Sequence, residues 1–473
     1  MSTAGTVAAI DLGATSGRVI LGSVGQDELR LRSVARFPNT PVRTIDGLHW
    51  DVLGLYRNAV SGLAAALRDE PDIASVGVDS WAVDYALLRG QRMLGNPYHY
   101  RDDRTLQGVE MTHAIADPAE LYARNGLQFL PFNTLYQLAA DRAVGSLEAA
   151  DSLLLIPDLL NFWLTGRQFA ERTNASATGL LGVSSREWDT DLIDRLQLPR
   201  GIFPELVDAG TVAGGILPAV ARELGSSRAP EVVAVGSHDT ASAVVAIPMR
   251  SEEAAYISCG TWGLVGVELE HPVLSEAGRA ANFTNEGGVD GRVRYLHNVM
   301  GLWLLSESVR AWERGGETID LPQLLDAASA VTTPVPVFDA NDPAFLAPGD
   351  MPVRIAAHCA ERGLPAPSTR AELVRSIIES LAAAFARAVR DAGDLSGHTV
   401  NVVHIVGGGS QNELLCRLTA NRTGLPVLAG PVEATAIGNI LVQARTQGLV
   451  TGDLASLRAL VARAFTPTRY LPE

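Results

Sequence analysis

Residues 7–22 read Val-Ala-Ala-Ile-Asp-Leu-Gly-Ala-Thr-Ser-Gly-Arg-Val-Ile-Leu-Gly: two apolar stretches joined by a turn of small residues. The first stretch, Val7 to Ile10, ends on Asp11, and the second, Val19 to Leu21, leaves the turn after Gly17 and Arg18. With only Gly, Ala, Ser and Thr between two strands, backbone N–H groups can close around phosphate oxygens. An Asp at the strand end adds an oxygen ligand for a divalent cation beside those phosphates. A related pattern returns at Tyr256-Ile257-Ser258-Cys259-Gly260-Thr261-Trp262-Gly263-Leu264-Val265-Gly266. Taken singly, such a hairpin is as well explained by an ordinary glycine turn. Its return in the second half points to a duplicated nucleotide clamp.

A chain of 473 residues is too long for one core, so two domains are expected, divided here as 1–247 and 248–473. The net charge of −15 argues against a nucleic-acid or anionic-membrane partner, which would need clustered cations. The chain shows no secretory pattern and no apolar run of membrane-spanning length. Cys259, Cys359 and Cys416 are far apart and odd in number, which fits a reducing cytoplasm rather than a disulfide framework. All 38 Lys+Arg positions are arginine. That excludes a P-loop, which needs its Gly-Lys-Ser/Thr, the strand lysine of a protein kinase, and Schiff-base chemistry. Any bound ATP must be held by backbone N–H, hydroxyls, arginine and metal.

Three antiparallel strands are predicted at 7–11, 17–24 and 28–37, then a helix over 51–68, whose apolar residues Leu53, Tyr56, Val60, Leu63 and Leu67 follow helical spacing. Strands at 73–79 and 83–88 and a largely helical stretch over 103–165 come next. A strand at 232–235 enters a helix at 240–247, closed by Pro248. In the second half strands are predicted near 254–258, 263–268 and 402–406, with helices near 299–314, 370–392 and 413–422. The long Pro- and Asp-rich segment 331–352 is expected at a surface or cleft edge. Strands and helices mixed this way in both halves imply α/β domains with mixed sheets flanked by helices.

Several polar clusters carry chemistry. Asp239, in Gly236-Ser237-His238-Asp239-Thr240, stands where a strand runs into a helix and can take a proton from a substrate hydroxyl. Taken alone it reads first as the helix N-cap, a role that does not exclude the other, and the helix dipole is expected to keep it ionised. The turn Gly407-Gly408-Gly409 lies between a strand and a helix, where backbone can approach a ligand closely or simply turn tightly. Trp81 and Tyr85 could stack on a sugar face and Asp84 could bond its hydroxyls; a core Trp beside a turn Asp is the plainer alternative. Asn298 precedes an apolar helix and reads as a ligand contact or an N-cap. The segment Asn282-Phe283-Thr284-Asn285-Glu286-Gly287-Gly288 is unusually polar for its position between strands.

Together these motifs resemble the FGGY carbohydrate kinases of the actin/hexokinase-like superfamily. The resemblance is carried by Asp11–Arg18, Ser80–Tyr85, Tyr100–Thr105, Pro131–Gln137, Ile156–Leu160, Thr173–Ser176, Gly236–Ala243, Asn282–Gly288, Asn298–Leu305 and Gly407–Asn412, so it covers nearly the whole chain. It implies two ribonuclease H-like domains with ATP and sugar in an interdomain cleft. It implies ATP-dependent phosphorylation of L-rhamnulose at its 1-hydroxyl with Mg²⁺, the alternatives being a family kinase of another ketose or polyol (L-fuculose, D-xylulose, glycerol) or an actin-like ATPase; a monomer or homodimer is expected. Residue by residue, it implies Asp239 as catalytic base and Trp81, Ala82, Asp84, His238, Thr240 and Asn298 at the sugar. It further implies Ala14, Thr15, Ser16, Gly17, Arg18, Thr261 and Gly408 at ATP, with Asp11 at the metal. Two positions depart from the family pattern: Ala82 stands where Trp-Gly-Val-Asp is usual, and Ser306 where a nucleotide-associated glutamine is frequent. Family disulfides have no counterpart in three separated cysteines.

Overall fold

The computed structural model describes residues 4–226, 230–249 and 251–473. The chain forms two compact units that are not contiguous in sequence. Unit 1 takes Met1–Arg250, Glu268–Tyr295 and Ala434–Phe465; unit 2 takes Ser251–Val267, Leu296–Glu433 and Thr466–Glu473.

Unit 1 is built on a mixed six-stranded sheet in the order Val212–Gly215, Glu231–Val233, Ile73–Ser80, Gly5–Leu12, Ser16–Gly25, Glu28–Pro38. The predicted N-terminal meander is present, and its register decides the site. Gly5–Leu12 runs antiparallel to Ser16–Gly25, setting Asp11 across from Arg18. It runs parallel to Ile73–Ser80, setting Asp11 beside Asp79. Two carboxylates therefore leave the sheet at the carboxyl ends of adjacent parallel strands, the usual edge for ligands in α/β sheets. The predicted helix over 51–68 is Val52–Asp69, and Asp51 caps it by accepting from Gly54 N at 3.0 Å. Its Gly62 faces Val19, where a Cβ would come within 2.6 Å of a valine methyl, so glycine permits the close helix–sheet approach.

The helix Ala434–Thr446 lies against Gly5–Leu12, Ile73–Ser80 and the helix Asp239–Val245. At its crossing with Asp239–Val245, a Cβ on Gly438 would sit 1.8 Å from the Ser242 carbonyl. A second core surrounds the small sheet of Tyr85–Arg89, Arg92–Met93 and Ser152–Leu155, filled by Leu135, Leu138, Leu153 and Leu180 among others. Tyr85 belongs to this core and its hydroxyl donates to Asp141. It is packing, not a platform for sugar.

In unit 2 strands follow in the order Gly263–Leu269, Ala254–Cys259, Val402–Val406, Val427–Ala429, Thr468–Tyr470. The 27-residue helix Arg370–Ser396 begins with a Thr369/Glu372 capping box and lays Phe385 against Gly263.

Some elements differ from the sequence reading. The strand expected from 83 begins at Tyr85, because Val83 has φ +71° and cannot continue a strand. The strand at 231 stops at Val233, and the next helix is Asp239–Val245, with His238 at the N-cap position but giving no side-chain cap bond. The helix expected from 299 starts at Trp303, with Asn298 inside the strand Val293–Val299, so Asn298 is not an N-cap. The segment 331–352 is more than a surface connector: Phe338, Ala340 and Phe345 are buried, and Met351 opens the helix Met351–Glu361. Among the described residues no helix is long and apolar enough to cross a membrane.

Candidate active site

The sheet end of unit 1 gathers Asp11, Asp79 and Asp239. Asp11 is buried, and its Oδ2 lies 3.1 Å from Arg18 Nε. Arg18 thus faces the first acid across the hairpin. Asp79 is fully buried and accepts from Asn439 Nδ2 at 2.5 Å, while its Oδ1 is buried with no hydrogen-bond partner among the described residues. Burial, with Asp11 and Asp239 nearby, pushes the Asp79 carboxyl well above the usual range; Asn439 and Arg18 act the other way. Asn439 is held by Gln443 Nε2 at 2.6 Å, and Gln443 also donates to the Ala8 carbonyl at 2.9 Å. None of Asp79, Asn439 or Gln443 was singled out from the sequence. Asp79 directly precedes the Ser80–Tyr85 motif, but nothing local marks the other two.

Asp239 is the first residue of its helix, and its carboxylate accepts from Thr240 Oγ1 at 3.0 Å instead of capping. About 31% of the side chain is exposed, so solvent reaches a carboxylate otherwise walled by protein. Burial and the Asp11 charge raise it to about 6, against the opposing pull of Thr240 and Arg294. Desolvation and a like charge therefore outweigh the dipole of one short helix in setting its pKa. At neutral pH it is still largely the carboxylate, and a carboxylate poised just below neutrality is what a general base needs.

His238 is buried beside it. Its Nε2 lies 3.6 Å from Asp239 Oδ1, and Nδ1 lies 3.0 Å from Arg294 Nη2 and 3.4 Å from Glu286 Oε2. Burial and the Arg294 charge push His238 well below its usual value, so it is neutral. The backbone beneath it is fixed by Glu171, which is fully buried. Glu171 accepts from Thr173 N at 3.0 Å, Ser237 N at 3.0 Å, Ser237 Oγ at 2.9 Å and the Thr173 hydroxyl. The His238 N–H in turn donates to Thr173 Oγ1 at 3.3 Å. Glu171 therefore ties the Thr173 motif to the two residues that precede Asp239.

Asp84 has a different task from the one expected. Its Oδ2 accepts from Trp50 Nε1 at 2.6 Å, Trp81 Nε1 at 3.0 Å and Tyr100 N at 3.2 Å, and its Oδ1 from Gln137 Nε2 at 2.9 Å. Four donors engage the carboxylate, three of them on Oδ2, and with 1% of the residue exposed it is closed off from solvent. Burial raises it to about 6 in spite of them. It orients Trp81, whose ring lies 4.0 Å from Trp50. Between them, half-buried Ala82 and strained Val83 shape the loop; the Val83 carbonyl is held by Thr134 Oγ1 at 2.7 Å.

The first hairpin's turn, Gly13 to Ser16, is closed by Gly13 N donating to Ser16 O at 3.0 Å and braced by Asn39 N on Thr15 O at 3.0 Å. Ala14, Thr15 and Ser16 are partly or fully exposed, whereas Gly17 is buried against Phe37. In unit 2 the second hairpin's Cys259 packs under the triple-glycine turn. A Cβ on Gly409 would lie 2.2 Å from Cys259 Sγ, and one on Gly407, at φ +80°, 3.0 Å from Cys259 O; Gly408 meets nothing within 4 Å. Two of the three glycines are thus required by packing, and Gly408 alone leaves an open face. Thr261 is half-buried, its carbonyl accepting from Trp303 N at 3.1 Å, and Asn298 is half-buried in its strand.

Among the described residues no group of three or more His, Cys, Asp or Glu could hold a metal ion unaided. The hard oxygens of Asp11, with the orphaned Asp79 Oδ1 beside it in register, fit Mg²⁺, which keeps several waters and is completed by substrate phosphates.

The family model for the FGGY family of carbohydrate kinases, N-terminal domain, matches residues 6–246, and that for the C-terminal domain matches 255–446. Over 98% of its length the chain is 39% identical to a rhamnulokinase of Bacteroides thetaiotaomicron, covering 95% of that protein. It is 42% identical to a rhamnulokinase of Pectobacterium carotovorum, covering 98% of the chain and 93% of the relative. For a rhamnulokinase of Klebsiella pneumoniae the values are 43%, 93% and 89%. Among solved structures, gluconate kinase from Lactobacillus acidophilus superposes with a TM-score of 0.79 at 17% identity, covering 100% of this chain and 94% of that one. Glycerol kinase from Plasmodium falciparum, solved with ADP, gives 0.76 at 14% identity, covering 99% and 94%.

Proposed function

The chain belongs to the FGGY family of carbohydrate kinases, and we propose that it transfers the γ-phosphoryl group of ATP to the 1-hydroxyl of L-rhamnulose, giving L-rhamnulose 1-phosphate and ADP. Relatives named rhamnulokinase at 39% to 43% identity, matched nearly end to end, support the substrate. One observation carries the chemistry: the Asp239 carboxylate, raised to about 6, is partly open to solvent at the head of its helix.

Phosphoryl transfer is largely positioning and charge neutralisation. Asp239 accepts the hydrogen bond of the 1-hydroxyl and takes its proton as the bond to phosphorus forms. His238 and Thr240 flank the sugar, Trp81 and Ala82 border it, and Asn298 touches it. Asp84 acts at one remove by fixing the Trp81 indole. Ala14 to Gly17, Arg18, Thr261 and Gly408 meet the nucleotide. Asp11 holds Mg²⁺, which when bound neutralises phosphate charge. We assign sugar binding to the half 1–247 and nucleotide binding to the half 248–473, although Glu268–Tyr295 and Ala434–Phe465 belong to the first compact unit, and we place the protein as a monomer or homodimer in the cytoplasm, where ATP is supplied.

The test is ADP release with Mg·ATP across L-rhamnulose, L-fuculose, L-ribulose, D-xylulose, glycerol and no sugar, repeated with Asp239→Asn. Release should depend on L-rhamnulose and fall by roughly 10²–10⁴ in the variant, the usual worth of a general base. Preference for another sugar would move the substrate within the family; release that ignores sugar would overturn the reading.

A further inference from the structure

The polar segment 282–288 finds no role in the reading above, yet it ends in a buried ion pair. Arg294 has no exposed surface. Its Nη1 lies 3.1 Å from Glu286 Oε2, its Nε donates to the Gly287 carbonyl at 2.9 Å, and its Nη2 lies 3.0 Å from His238 Nδ1. A guanidinium has donors only. At 3.0 Å from it, Nδ1 must therefore present a lone pair, and the longer 3.4 Å approach of Glu286 Oε2 is no Nδ1–H bond. A neutral imidazole with a bare Nδ1 carries its proton on Nε2. That Nε2–H has Asp239 Oδ1 as its neighbour at 3.6 Å, too far for a hydrogen bond, so a nearly buried donor is left for a ligand at the side of the base.

We propose that Arg294, held by Glu286, is a positioning residue that fixes His238 as the Nε2–H tautomer, so that His238 donates to the oxygen on the carbon adjacent to the hydroxyl that Asp239 deprotonates. In a ketose phosphorylated at its 1-hydroxyl, that oxygen is the one on C2. Acceptor and donor then stand side by side and match a hydroxyl next to an oxygen acceptor. The inference rests on the sugar-kinase reading but not on which ketose is used. The groups facing His238 are Asp239 on its own helix, Glu286 and Arg294 from the two strands beside it, and Thr173 at its backbone N–H.

Two measurements decide it. In the whole protein with ¹⁵N-labelled histidine and no sugar, the His238 ring, assigned by its loss in His238→Gln, should show a bare Nδ1 and a protonated Nε2 from pH 5 to 8. A protonated Nδ1 anywhere in that range overturns the proposal. The second measurement is a mutant cycle with whichever sugar the enzyme turns over. Arg294→Met made together with Glu286→Gln leaves no lone buried charge. It should raise the sugar KM roughly 10-fold, the worth of one hydrogen bond, and leave the ATP KM unchanged. In the His238→Gln background the same pair of changes should have little further effect. A full loss in that background would make Arg294 merely structural. A change of preferred ketose in wild type would move the substrate assignment and leave both readings intact.

Discussion

Replacing Glu171 separates the scaffold of this site from its chemistry. The side chain takes four donors, two of them backbone N–H groups, of Thr173 and Ser237. Three of the four converge on Oε2. In Glu171→Gln the amide oxygen can occupy the Oε2 position and keep those three. The amide N–H₂ then faces the Thr173 N–H, so one buried donor is orphaned at about 1–3 kcal/mol. Glu171→Ala orphans both N–H groups, about 2–6 kcal/mol, before the void left by the side chain adds its own cost. The expected order of thermal unfolding midpoints is wild type, then Gln a few degrees lower, then Ala lowest by a clear margin. The Gln variant should keep kcat within a few-fold, since Ser237 remains tied and Asp239 with it. An Ala variant that melts with wild type would refute the bracing role. A folded Gln variant as inactive as Asp239→Asn would mean that the Glu171 charge takes part in the reaction.

Two further outcomes follow from the same site and its partner unit. Because Asp239 acts as the ionised base and is raised to about 6, kcat/KM should be flat above pH 7, half-maximal near 6 and fall about tenfold per unit below, a limb absent from Asp239→Asn; a midpoint near 4 would show that burial and Asp11 do not perturb it. Gly408→Ala places a methyl in open space and should leave the melting temperature unchanged while raising the ATP KM, whereas Gly409→Ala drives a Cβ to 2.2 Å from Cys259 Sγ and should destabilise the protein; equal stability of the two variants would contradict the packing described.

The meander at the N-terminus, the helix Val52–Asp69 and the strand Val402–Val406 were legible because period-2 and period-3.6 apolar patterns report burial directly. The cap alternative for Asn298 fell because an Asn before apolar residues looks the same whether the chain is turning into a helix or still paired in a strand. Asp84 was misread for a different reason. A motif shows that a carboxylate is present, but only the fold shows that Trp50 and Gln137, 34 and 53 residues away, bind it in a buried site. Arg294 and Glu171 escaped because a charged residue in sequence reads as surface by default, and its burial depends on a partner supplied from elsewhere in the chain.

The helix Ala434–Thr446 bears on how this enzyme is made. Gln443 bonds the Ala8 carbonyl, a contact spanning 435 residues, and Asn439 holds Asp79 across 360. While the chain is being synthesised, the first strands emerge early but lack the helix that covers them. The sheet end carrying Asp11 and Asp79 cannot reach its final packing until almost the whole polypeptide has left the ribosome. Contacts of such separation slow folding and leave apolar sheet surface open to misassociation meanwhile. A chain broken off before residue 434 would lack the residue that secures Asp79, so a prematurely terminated product would be an incomplete first unit, not a free-standing sugar-binding half.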